Sequence, residues 1–188
     1  MKFFLQFIIL SGIFAACQSH EYYDTVEKEL ASGVRYDSLF LDIKFGMRQK
    51  EFFTHCWELN KKGVITNGSK NMSVLYRLDE ELKDAGKMNF YPEFYDNKIY
   101  KMPVIFSYEG WAPWNEHLSA DTLLVDVVAL LKKWYGDDFI TVSHEKKGTA
   151  YIKVDGNRRI AIYKKSESEV EAMFTDLLIE KTLKEKKL

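Results

Sequence analysis

Between Ser119 and Tyr163 the apolar pattern changes from a helical period to strand-like runs, and that change limits the folds open to the chain. Leu123, Leu124, Val127, Val128, Leu131 and Trp134 lie on one stripe of a 3.6-residue period from Ala120 to Tyr135. Ser119 stands where a helix cap is needed, and Gly136 supplies the stop. Three strand-like runs follow, Phe139 to His144, Thr149 to Val154 and Arg158 to Tyr163. A helix with one apolar stripe must bury it, and the strands beside it form the natural cover. The last two runs are expected to form a hairpin closed by the three-residue loop Asp155-Gly156-Asn157. That register pairs Val154 with Arg158, Ile152 with Ile160 and Ala150 with Ile162, so that the apolar faces agree.

The same order of elements occurs earlier in the chain. Arg48 to Lys62 reads as a helix whose apolar positions are Phe52, Phe53, Cys56, Trp57 and Leu59, with Gly63 behind it. Strand-like runs follow at Met72 to Leu78, Lys87 to Tyr95 and Lys98 to Tyr108. Asp96-Asn97 suits a tight turn pairing Tyr95 with Lys98, which gathers Met88, Phe90, Phe94, Ile99 and Ile105 on one face. Pro92 and Pro103 each remove a ladder donor and predict an edge, a bulge or an early end. Ser166 and Glu169 have capping-box spacing, which predicts a final helix over 167–186 with Val170, Met173, Phe174, Leu177 and Leu178 as its stripe. The expected class is α+β. Tandem helix-plus-three-strand modules, about 45–109 and 119–164, form antiparallel sheet within a single domain, 38–188, closed by a C-terminal helix.

Ahead of this domain, Met1-Lys2 is followed by an apolar run of about 14 residues, short of the roughly 20 that span a bilayer. The run shortens into small residues and ends Phe14-Ala15-Ala16-Cys17. Residues 1–16 therefore read as a secretory signal. The last four residues resemble a bacterial lipobox, which implies that Cys17 is lipidated and becomes the mature N-terminus. Gln18, in place of Asp, favours the outer membrane under the enterobacterial sorting rule, with either its periplasmic or its cell-surface face open. Residues 17–37 are polar without sustained periodicity and read as a lipidated tether, whose reach is at most roughly 65–70 Å. Once Cys17 carries lipid, Cys56 has no partner for an internal disulfide and reads as a buried, inert thiol.

Twenty-seven basic against 28 acidic residues give a net charge of −1, which offers no electrostatic basis for nucleic-acid binding. The four histidines, His20, His55, His117 and His144, fall in no ligand-spaced cluster. There is no Walker loop, G-x-G-x-x-G or G-x-S-x-G, so no cofactor, metal or catalytic residue is assigned. The most informative stretch is Gly110-Trp111-Ala112-Pro113-Trp114-Asn115-Glu116-His117, which places two indoles in a connecting loop. Loops run over surfaces, where such rings either pack across a seam or bind something. Trp111, Trp114 and His117 are the candidate binding residues, with Tyr95 of the aromatic run Tyr91-Pro92-Glu93-Phe94-Tyr95 as an addition.

Leu41-Asp42-Ile43-Lys44-Phe45-Gly46-Met47, followed by Lys50-Glu51-Phe52, resembles the strand-Gly-Met-helix entry of small envelope lipoproteins of the BamE/SmpA kind. Tandem helix-plus-three-strand modules also resemble the β-lactamase-inhibitor-protein architecture. With the lipobox and the aromatic richness, the chain looks like a Bacteroidota-type envelope lipoprotein. The resemblance implies a non-catalytic, lipid-anchored protein that binds a protein or envelope partner. Glycan binding through the Trp-rich loop and an envelope hydrolase are the alternatives.

Overall fold

The structure is a computed structural model that describes residues 20–68, 73–144 and 148–186. Among these residues, four helices accompany nine strands in one antiparallel sheet, a mixed α+β architecture with a C-terminal helix. Helix α1 covers residues 20–31 and α2 covers Gln49–Lys61. The first strands are β1 (Thr66–Asn67), β2 (Val74–Leu78), β3 (Gly86–Phe90), β4 (Glu93–Tyr95) and β5 (Lys98–Tyr108). Helix α3 (Ala120–Tyr135) leads to β6 (Ile140–His144), β7 (Gly148–Asp155), β8 (Arg158–Lys164), β9 (Val170–Asp176) and α4 (Leu177–Glu185). The strand order is β1-β2-β3-β5-β9-β8-β7-β6, with β4 also on β5.

The last strand joins the two halves. Residues 170–176, expected within the helix 167–186, form β9 between β5 and β8 instead. The segment satisfies both periods, because Val170, Ala172 and Phe174 alternate while Val170, Met173, Phe174 and Leu177 also recur at helical spacing. Burial decides between them: Val170, Ala172 and Phe174 are fully enclosed and pair with Phe106, Val104 and Met102 on β5. Ser166 makes no capping box. Its amide donates to the Glu169 carbonyl in a turn, and Asp176 caps α4 by accepting from the Leu178 amide at 3.1 Å.

Helix α3 packs on β5, β8 and β9, burying Leu123, Val127, Leu130 and Leu131. Its polar anchor is Asp126, 6% exposed, which accepts from the Tyr108 hydroxyl at 2.7 Å and the Lys83 amide at 3.1 Å. Asp126→Ala strands both donors, and thermal melts should register a loss of about 1–3 kcal/mol. An unchanged melting temperature would show that solvent reaches this group.

Two turns settle the local registers. Asp96 and Asn97 both have positive φ (48° and 58°) and close the Tyr95↔Lys98 pair, the turn expected from sequence. Pro103 lies opposite the Tyr91-Pro92 interruption between β3 and β4, where no ladder runs. Ile105 pairs with Asn89, on the face away from Met88. The β7–β8 hairpin differs from expectation, because Asp155 pairs with Arg158 across a two-residue turn of Gly156 (φ 50°) and Asn157. This register puts Lys153 on the buried face beside Ile160, where Asp155 and Asp138 pair with its ammonium at 3.0 and 3.4 Å. Local charge pairing thus satisfies a position that the apolar pattern would refuse.

The expected tether, 17–37, is not a free linker over its described part. Residues 20–31 are helical, and the stretch after them clamps onto the β7–β8 turn. Gly156 donates to Glu29 Oε2 (2.8 Å), Tyr36 donates to Asn157 Oδ1 (2.7 Å), and Arg158 donates to the Ser38 carbonyl (2.7 Å). Arg35 reaches the buried Asp176 carboxylate at 3.1 Å, and Arg159 reaches the Tyr22 hydroxyl at 2.9 Å. The long-range partners of these residues, not their own sequence pattern, hold the segment.

Candidate functional site

The Trp-rich loop starts where β5 ends. Arg77 grips Glu109 at 2.9 and 3.2 Å through both terminal nitrogens, and the Glu109 amide donates to the Ala85 carbonyl. Gly110 then turns the chain with a left-handed φ of 71°, a conformation that suits glycine. Asn115 ties the loop internally, its amide donating to the Ala112 carbonyl and its side chain to the Gly110 carbonyl. A single 3-10 turn, Glu116–Leu118, follows, with Leu118 buried as the anchor. Ser119 stands at the N-cap of α3 without a side-chain capping bond; the Ala120 amide donates to the Glu167 carbonyl instead. The loop is therefore fixed at both ends and across its middle.

Its aromatic rings stay outside. Trp114 is 81% exposed and Trp111 36%, so Trp114 covers no seam within the fold. His117 is also exposed. Trp111 forms one wall of a cleft of about 540 Å³ whose other walls include Asn115, Glu116, Ser119, Asp121 and Glu167. Asp121 is paired with Lys164 at 2.9 Å, and that hydrogen bond raises the Lys164 pKa above its ordinary value. Glu116 and Glu167 have no ion pair among the described residues, so the cleft offers carboxylate acceptors beside an indole face.

Tyr95 lies elsewhere. It ends β4, opposite Lys98 at the start of the 11-residue β5, and the tryptophans follow the far end of β5, a separation of roughly 35 Å along the strand. There Tyr95 packs on Tyr100 and hydrogen-bonds Lys186. Cys17 lies outside the described residues. Cys56 is half-buried on α2, and burial pushes its thiol up to about 11. At pH 8 only about one part in a thousand is then thiolate, so alkylation should be slow and should accelerate steadily up to about pH 11. Rapid labelling at pH 7 would contradict that burial.

Helix α2 carries a second exposed aromatic feature that its sequence pattern concealed. Of the five expected core positions only Phe52 is fully enclosed; Phe53 is 47% and Trp57 56% exposed, with Lys61 stacked over the Trp57 ring. Adjacent helical positions point about 100° apart, so Phe52 and Phe53 cannot both face the sheet.

Among the described residues there is no group of three His, Cys, Asp or Glu side chains placed to hold a metal ion. Nor is any helix among them long and apolar enough to cross a membrane. No family model, curated protein or solved structure matches the chain.

Proposed function

We propose that the protein is a non-catalytic, lipid-anchored component of the cell envelope. In this reading the loop 110–117 engages a protein or other envelope partner. The observation that carries the reading is the 81% exposure of Trp114 on a loop whose ends are hydrogen-bonded in place. A rigid, exposed indole loses little conformational freedom when a partner covers it, which is why Trp dominates binding hot spots. Replacing Trp114 by Ala should leave stability within about 0.5 kcal/mol, the range of surface substitutions, while abolishing partner recovery. A marked fall in melting temperature would instead assign the ring a packing role.

The anchor rests on Phe14-Ala15-Ala16-Cys17 and is tested separately. A fatty-acid analogue should label the wild type and leave Cys17→Ala unlabelled; label on the variant would end the lipoprotein reading. If Cys17 is the lipidated terminus, only residues 18 and 19 separate it from His20, the first described residue of α1, which then lies within about 10 Å of the lipidated residue.

A second reading, glycan binding, is favoured by the cleft beside Trp111, where carboxylates and Asn115 flank an indole. Sugar rings stack on such faces and donate hydroxyls to such acceptors. Saccharide binding that is lost in Trp111→Ala and retained in Trp114→Ala would favour this reading over the protein partner.

A further inference from the structure

The cleft beside the Trp-rich loop, of about 540 Å³, combines an indole wall with an acidic one. Trp111 and Pro113 supply apolar surface. Glu116 from the 3-10 turn, Asp121 from the first turn of α3 and Glu167 from the segment before β9 supply three carboxylates. Lys164 pairs with Asp121 at 2.9 Å, whereas Glu167 acts on that ammonium only from beyond ion-pair distance. Glu116 has no cation in contact among the described residues, so two of the three charges stay uncompensated.

The rest of the lining favours a donor as the guest. The N-terminal end of α3 carries roughly half a positive charge, but Asp121 already occupies its first turn and the Ala120 amide already donates to the Glu167 carbonyl. Asn115 spends its side-chain N–H on the Gly110 carbonyl and keeps its oxygen as an acceptor. The Ser119 hydroxyl makes no capping bond and is a further acceptor. The indoles are also open. Lys61 stacks over Trp57 at 3.4 Å, but no cation lies over Trp111 or Trp114 among the described residues.

We propose that this cleft receives a guanidinium group, the side chain of an arginine on the protein partner of the loop 110–117. The assignment rests on the partner reading above and adds the chemistry of the contact. A guanidinium plane stacks on an indole and presents its N–H groups in that same plane to carboxylates, whereas an ammonium acts as a compact point charge. Charge complementarity of this kind also steers encounter and rejects acidic partners.

The test uses the full chain and NMR of its four indole N–H groups. The probes are acetyl-Gly-Arg-Gly-amide, the same peptide with lysine, the same peptide with citrulline (the neutral near-isostere of arginine), and maltotriose. The arginine peptide should shift Trp111 saturably and leave Trp57 and Trp134 unmoved. The citrulline peptide should bind about tenfold more weakly, and the lysine peptide more weakly than the arginine one. Glu116→Gln combined with Glu167→Gln should bring the arginine peptide down to the citrulline level, with the Trp57 and Trp134 signals reporting an intact fold. Equal binding of arginine and citrulline peptides, lysine binding as tight as arginine, or no saturable shift would overturn the proposal. A shift by maltotriose alone would overturn it too and assign the cleft to a glycan. Partner recovery that depends on Trp114, found together with equal binding of the peptides, would leave the partner reading standing and remove this inference alone.

Discussion

Ending the chain at Glu169 should abolish cooperative unfolding altogether. The deletion removes β9, which is hydrogen-bonded to β5 on one side and β8 on the other, and it exposes two long internal edges at once. It also strips Val170, Ala172 and Phe174 from beneath α3. Phe174 alone, in ring contact with Phe40 and Tyr135, should be worth about 3–5 kcal/mol as Phe174→Ala. A domain of this size has only about 5–15 kcal/mol in all. Circular dichroism melts and proton NMR dispersion provide the check. A sigmoidal melt for the truncated chain would mean that β1–β5 with α3 folds without the final strand.

Gly156→Val should release the N-terminal segment and cost about 2–4 kcal/mol. Residue 156 holds φ at 50°, and a Cβ there would overlap the Val34 carbonyl oxygen and crowd the Tyr36 ring. A β-branched residue fits neither the backbone nor the space. Losing the fit loosens the bonds from Gly156 to Glu29 and from Tyr36 to Asn157. Trypsin should then cut at Lys28 and Arg35 well before it attacks the sheet. Equal digestion rates for wild type and variant would show that the segment is not held by the turn.

How much of this was legible in the sequence depends on whether the cause was local. Helix α3, the strands after it and the Asp96-Asn97 turn were readable, because stripe, alternation and turn chemistry all act within a few residues. Strand β9 was not, because residues 170–176 fit two periods and only the slot between β5 and β8 chooses between them. The β7–β8 register differs from the one that makes the apolar faces agree, because it sets Lys153 opposite Ile160 on the buried face. Its partners Asp138 and Asp155 make it suitable, and that pairing appears only once the turn is closed. Residues 20–38 carry no apolar period, yet they are fixed by Asn157, Arg158, Arg159 and Asp176, more than a hundred positions away. The exposure of Trp114 accords with its place in a loop.

The central claim is that the loop 110–117 is the partner-binding surface. It is tested most directly by placing a photo-crosslinking amino acid at position 114 in cells. An identical probe at Val125, an exposed position on α3 that is 62% accessible, serves as the control. The account predicts a discrete crosslinked product from position 114 and none from position 125. No product from position 114, or the same products from both positions, would contradict it.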